Sequence, residues 1–307
     1  GAAGAAAGAG VSASEVAGVQ GPMIPTFVGA GLLGGAADNP FTKFTRPPDC
    51  RTPGIPSFSV NTATLGLVVE DTVFQGRGAG PHLTMDLTYN SASSEVGMFG
   101  KGWRFRYESR ISLEGDTLHL TKGSGQVLDY RVVSGGGDGT SSPVEALPPE
   151  GVFDRLFDHG GYWMLIERES RLMYRYDKRP GGASPLVSVA DAYDNALVMS
   201  YGPDELLQAI IDPAGRATRF AYHADRLCAS FTLVDGRSAA YTYSESGCLV
   251  RTVDLQGIVA DYGYDERGLM RHMQVDRDAK SFAFTYQNGS AGPCIATVAD
   301  PAGNVTR

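Results

Sequence analysis

The sequence predicts an all-β chain of antiparallel hairpins, and three observations carry that prediction. Tyr201, Tyr222, Tyr243, Tyr264 and Tyr286 recur at spacings of 21, 21, 21 and 22 residues. Two positions ahead of the last four stand further rings, Phe220, Tyr241, Tyr262 and Phe284. Gly215, Gly236 and Gly257 lie seven residues before the middle tyrosines and close the turns Asp212-Pro213-Ala214-Gly215, Asp235-Gly236 and Asp254-Leu255-Gln256-Gly257.

The period fixes the unit. A strand over 237–243, a turn over 244–247, a strand over 248–253 and a turn over 254–257 account for all 21 residues. Asp suits such turns because it bonds its own backbone, and Gly because it supplies a positive φ. Side chains alternate faces along a strand, so Phe220 and Tyr222 are expected on one face, with the equivalent pairs of the next units in file beside them. The turn Asp300-Pro301-Ala302-Gly303 repeats the pattern and calls for another aromatic near position 310, so the sheet, taken over 152–307, is expected to be one piece of a longer array.

Upstream the chain changes character. Residues 1–57 are rich in Ala, Gly and Pro, with Glu15 the only charge in the first 37, and read as an irregular segment acting as a plug or docking element. Alternating apolar runs over 58–133 predict a lead-in segment of strands. There Gly100 and Gly102 permit tight turns, and Trp103 is expected to anchor the segment. A Gly/Ser/Pro/Glu stretch over 134–151 predicts a mobile loop.

Composition narrows function. A net charge of -8 without a Lys/Arg-rich run argues against a nucleic-acid groove or an anionic membrane surface as the main partner, and no stable membrane span is expected in this segment. Cys50, Cys228, Cys248 and Cys294 form no C-x-x-C and the five His no H-E-x-x-H, so no metal site and no cofactor is expected. G-x-S-x-G is absent, no catalytic residue is assigned, and the segment is expected not to be an enzyme. Thiols without a pairing framework suit folding in a reducing compartment.

Tyr176-Asp177, Tyr264-Asp265, the D-P-x-G turns and the 21-residue period resemble the YD repeats of bacterial Rhs proteins, found also in the C components of insecticidal toxin complexes and in teneurins. Gly76-Arg77-Gly78, Tyr89-Asn90-Ser91 and Phe99-Gly100-Lys101-Gly102-Trp103 resemble the segment that precedes such repeats, although Leu87 stands where that pattern usually has Arg. The resemblance implies a curved, spiral sheet that forms part of a hollow shell, or cocoon, around a C-terminal toxin released by self-cleavage at a motif that nothing in this sequence matches. It implies partners too: the rest of the shell, the enclosed toxin, and the spike protein, chaperone and immunity protein of a secretion system. Made in the bacterial cytoplasm, such a protein is then secreted or delivered into a competitor, here by type VI secretion. Two other readings are a surface-displayed adhesive or carbohydrate-binding repeat protein and a shell component of an insecticidal toxin complex. A β-propeller, whose blades need about 42 residues, fits the single-hairpin period poorly.

Overall fold

The computed structural model describes residues 26–27, 56–61, 65–132, 143–278, 280–289 and 292–306. The expected plug or docking element over 1–57, with Cys50, therefore lies almost wholly outside the described residues; Thr26–Phe27 pairs in parallel with Val60 and Asn61. All other pairings between the described strands are antiparallel.

The strands form an inner sheet, a ring and a ladder. The inner sheet takes Ser57–Asn61, Leu67–Gln75, Thr84–Asn90 and Trp103–Phe105 in that order. Strict alternation over Thr84–Asn90 turns Met85, Leu87 and Tyr89 into the core. The ring runs from Arg110–Glu114 to Ser184–Ala190, each strand pairing with the next. It closes where Ser184 pairs with Ile111 and the Leu186 amide donates to the Ser109 carbonyl at 3.0 Å. Leu118, Leu120, Tyr130, Leu156, Trp163 and Leu165 turn inward and fill it, as a barrel of about eight strands requires.

The loop expected over 134–151 gives way within its span to part of this ring. Val144–Ala146 is a strand against Leu156–Asp158, and Arg131 and Leu147 exchange backbone hydrogen bonds of 2.9 Å. A bidentate Arg155–Glu145 pair, 2.7 Å at both contacts, spans that pairing, a link that composition alone does not reveal.

From Ala196 onward the ladder is a run of hairpins, each strand paired to its sequence neighbour as far as Val305–Thr306. Ala196–Tyr201, Ala217–Tyr222 and Ser238–Tyr243 share nearly one burial pattern, in which the second and fourth residues turn inward. In the turns the Gly215, Gly236 and Gly257 amides donate to carbonyls three residues earlier, with φ of 78°, 85° and 80°. Gly303 closes the turn at Asp300 with φ 82°. Glu205 and Arg226 hold the same conformation, at φ 64° and 70°, while carrying side chains.

A bulge shifts the pairing in each repeat. The register slips between Ser200 and Tyr201, Ala221 and Tyr222, Thr242 and Tyr243, Gly263 and Tyr264, and Thr285 and Tyr286. The extra residue at each point lies in the partner strand (Gln208, Ala229, Val250, Arg271 and Ala296), so the tyrosine's own strand is uninterrupted while the pairing opposite it shifts by one.

Candidate functional site

The five spaced tyrosines share a common task. Tyr201 donates its hydroxyl to the Leu186 carbonyl, Tyr222 to Leu207, Tyr243 to Cys228, Tyr264 to Leu249 and Tyr286 to Met270, each at 2.8 Å. The acceptor lies 15 residues back in the first four and 16 in the last, so each unit clasps the one before it. Burial, the largest cause in every case, pushes these phenols well above their ordinary pKa. They remain donors across physiological pH, as the clasp requires.

The other ring of each unit meets the inner sheet. Phe220 contacts Phe105 (5.9 Å between centroids), Tyr241 contacts Phe99 (4.8 Å), Tyr262 contacts Trp103 (5.2 Å) and Phe284 contacts Phe58 (5.2 Å). The last three are edge-to-face, a geometry worth roughly 0.5–1.5 kcal/mol beyond area burial. Phe231 fills the gap between Phe220 and Tyr241, at 6.3 and 6.4 Å. The aromatic face of the ladder is thus a dry seam, with one lead-in ring set against each repeat ring.

The lead-in loop fastens the seam at backbone level. The Lys101 amide donates to the Gly247 carbonyl at 2.9 Å and its Nζ to the Arg267 carbonyl at 3.0 Å, while the Cys228 amide donates to Met98 at 2.7 Å. Gly100 has φ 91°, and a Cβ there would stand 2.5 Å from the Gly247 oxygen; close approach, beyond turning, demands glycine. A Cβ on Gly102 would meet the Tyr89 ring at 2.8 Å. Trp103 has no exposed surface, and its Nε1 donates to the Tyr264 hydroxyl at 2.9 Å, joining the loop to a clasp. Tyr89 takes the Met270 amide at 3.0 Å and donates to Gly268 at 3.3 Å. Asn90 and Ser91 stay local: the Asn90 carboxamide caps the Ala92 amide, and Ser91 Oγ accepts from Leu67.

Sequence reasoning missed Glu108. Its half-buried carboxylate accepts from the Met98 amide at 2.6 Å and the Phe105 amide at 2.9 Å, holding both ends of the loop that presents Phe99 and Trp103. Burial raises its pKa against the pull of those amides and of Arg104. A glutamate five residues after a tryptophan gives no signal in one sequence. Asp71 was missed as well. Only 2% exposed between the buried Val69 and Val73, it is pushed up to about 7, first by burial and then by Asp254 and Asp86. Asp71 Oδ1, Asp254 Oδ2 and the Tyr241 hydroxyl have no hydrogen-bond partner.

Among the described residues no group of three or more His, Cys, Asp or Glu could hold a metal ion, and no helix is long and apolar enough to cross a membrane. Cys228 and Cys248 are buried, and burial pushes the Cys228 thiol up, away from reactivity.

Residues 59–130, the inner sheet and the first ring strands, match a family model described as a domain of unknown function, DUF6531. Over 148 residues, 48% of this chain, the sequence is 31% identical to the tRNA nuclease WapA of Bacillus subtilis strain 168 and to the tRNA(Glu)-specific nuclease WapA of Bacillus subtilis subsp. natto. The chain is similar to these proteins over part of its own length. It spans about 6% of the length of the WapA nucleases. A Photorhabdus luminescens Tc holotoxin pore shares 10% identity over 76% of this chain and 14% of that one, with a TM-score of 0.34. A TcdB2–TccC3 structure shares 11% over 80% and 11%, with a TM-score of 0.30. Scores that low carry no argument, and the YD-repeat reading rests on the residues and their bonds.

Proposed function

We propose that this chain is a structural segment of an Rhs shell that encloses a C-terminal toxin, and that type VI secretion delivers the assembly into competing bacteria. The observation that supports this best is the clasped ladder, in which spaced tyrosines tie each unit to the one before without a catalytic group among them. An array of that kind extends by addition of units and builds a wall. The nuclease relatives supply the toxin half of the reading, since their names state an activity that this segment is not assigned.

In this reading the segment is not an enzyme and needs no cofactor. Its partners are the rest of the shell, the enclosed toxin, and the spike, chaperone and immunity proteins of the secretion system. It folds in the producing cell's cytoplasm before export. Protease protection of the full-length protein tests enclosure. The C-terminal region is expected to resist digestion while the seam is intact and to become cleavable in Trp103→Ala. Equal sensitivity in both proteins overturns enclosure. For delivery, killing of competitors is expected to vanish when the type VI sheath is deleted, and persistence of killing overturns that part alone.

A further inference from the structure

Three turn aspartates, Asp191, Asp212 and Asp300, share one bonding scheme. Oδ1 accepts from the amides two and four residues on, at 2.8–3.0 Å. Oδ2 accepts from the side chain at that fourth place, which is Asn195 at 2.8 Å, Arg216 at 2.7 Å and Asn304 at 2.9 Å. Asp254 keeps both amide bonds, to Gln256 at 2.8 Å and Ile258 at 2.7 Å. Its fourth place holds an isoleucine, however, and its Oδ2 has no partner. Of the four aspartates only Asp254 is buried. Across the seam stands Asp71, whose register sets it opposite Leu87, and Leu87 opposite Phe105, on the face that meets the ladder. The ladder presents Asp254, Tyr241 and Tyr262 to it. In the neighbouring strand Asp86, held by Arg106 at 3.0 Å and Thr72 at 2.7 Å, adds charge of the same sign. Among the described residues no cation pairs with Asp71 or Asp254, and Asp71 Oδ1 is unpartnered too.

We propose that Asp71 and Asp254 form a proton-operated latch between the inner sheet and the ladder. With a proton on Asp71 the two layers meet without opposed charges. Once Asp71 ionises, like charges lie in a dry seam without a counter-charge, and the seam loosens. Burial and the neighbouring acids push Asp71 up to about 7, so the change falls near neutral pH. The raised value fixes the direction: the proton supports the seam in acid, and that support is lost as pH rises through 7. The tyrosine clasps lie outside the latch, because burial keeps their phenols protonated on both sides of this range. Repeats therefore stay tied to one another while their hold on the lead-in segment weakens. The inference does not depend on what the shell encloses.

The test is hydrogen exchange of the 307-residue chain at pH 6 and pH 8, with rates corrected for the intrinsic pH dependence of exchange. Opening across 67–90 and 238–264 is expected to rise about tenfold over that range, with 110–166 nearly unchanged. In Asp71→Asn the rise is expected to vanish. Ile258→Arg gives Asp254 the kind of partner that Arg216 gives Asp212, and is expected to cut the rise to about threefold or less. No rise in the seam, or an equal rise in the ring, overturns the proposal, and both results need only the unsubstituted protein. An undiminished rise in Asp71→Asn overturns it as well. An undiminished rise in a folded Ile258→Arg takes Asp254 out of the latch and overturns the pair.

Discussion

The ring and the ladder are built from the same antiparallel hairpins yet hold together by different means. The ring closes on itself where Ser184 meets Ile111, so its first and last strands have partners and its interior is packed by its own residues. The ladder between Ala196 and Thr306 has no such closure. It has the inner sheet laid along its aromatic face and a tyrosine tie at each unit. Closure gives the ring a stability of its own, whereas the ladder draws on a second layer. That difference is open to attack.

The strongest attack is Trp103→Ala. Removing the ring uncovers Tyr262, cancels the bond to Tyr264 and leaves a cavity under the ladder, a loss of about 5 kcal/mol, the upper end for a buried aromatic. Hydrogen exchange is expected to quicken across 238–275 well before it does across 110–166. Equal loss in both regions would erase the distinction.

Asp71 offers a second test through pH. Its folded-state pKa of about 7 stands above the ordinary 3.8, so the proton it holds stabilises the fold most below the ordinary value. That contribution is lost as pH rises through 7. Urea denaturation is expected to give a protein less stable at pH 8 than at pH 4 by an amount on the order of 4 kcal/mol from this group. Asp71→Asn is expected to flatten the profile and to gain stability at pH 8. An unchanged profile in the variant refutes the assignment.

Tyr243→Phe keeps the ring and deletes one clasp, for an expected cost of about 1 kcal/mol by chemical denaturation. Distant clasps such as Tyr201 and Tyr286 are expected to add when both are removed. Strong coupling between them would mean that the ladder melts as one block.

The smallest expected effect is a gain. Glu205 sits at φ 64°, a conformation that costs a side-chain-bearing residue roughly 1 kcal/mol, and its ion pair with Arg179 is largely exposed. Glu205→Gly is expected to raise the melting temperature by a few degrees, and a fall would place the ion pair above the backbone strain.

The ladder was legible because it repeats. Tyrosine spacing and turn glycines announce strands, turns and one shared face, and the lead-in motif marks Trp103 and the glycines around it. The bulge opposite each tyrosine was not legible, since an extra residue within the partner strand leaves no mark in composition. Ring closure was hidden for a different reason. Ser184 and Ile111 are 73 residues apart in sequence, and nothing local signals their pairing. Glu108 and Asp71 escaped because such a carboxylate owes its meaning to the amides or acids around it, which only the fold assembles.

Each clasp reaches backward along the chain. In all five cases the hydroxyl donor follows its acceptor, so a unit is completed only by the arrival of the next tyrosine. On a ribosome, where residues emerge in order, the wall is therefore finished from its first hairpin outward. Each tie waits on a tyrosine that emerges 15 or 16 residues after its acceptor.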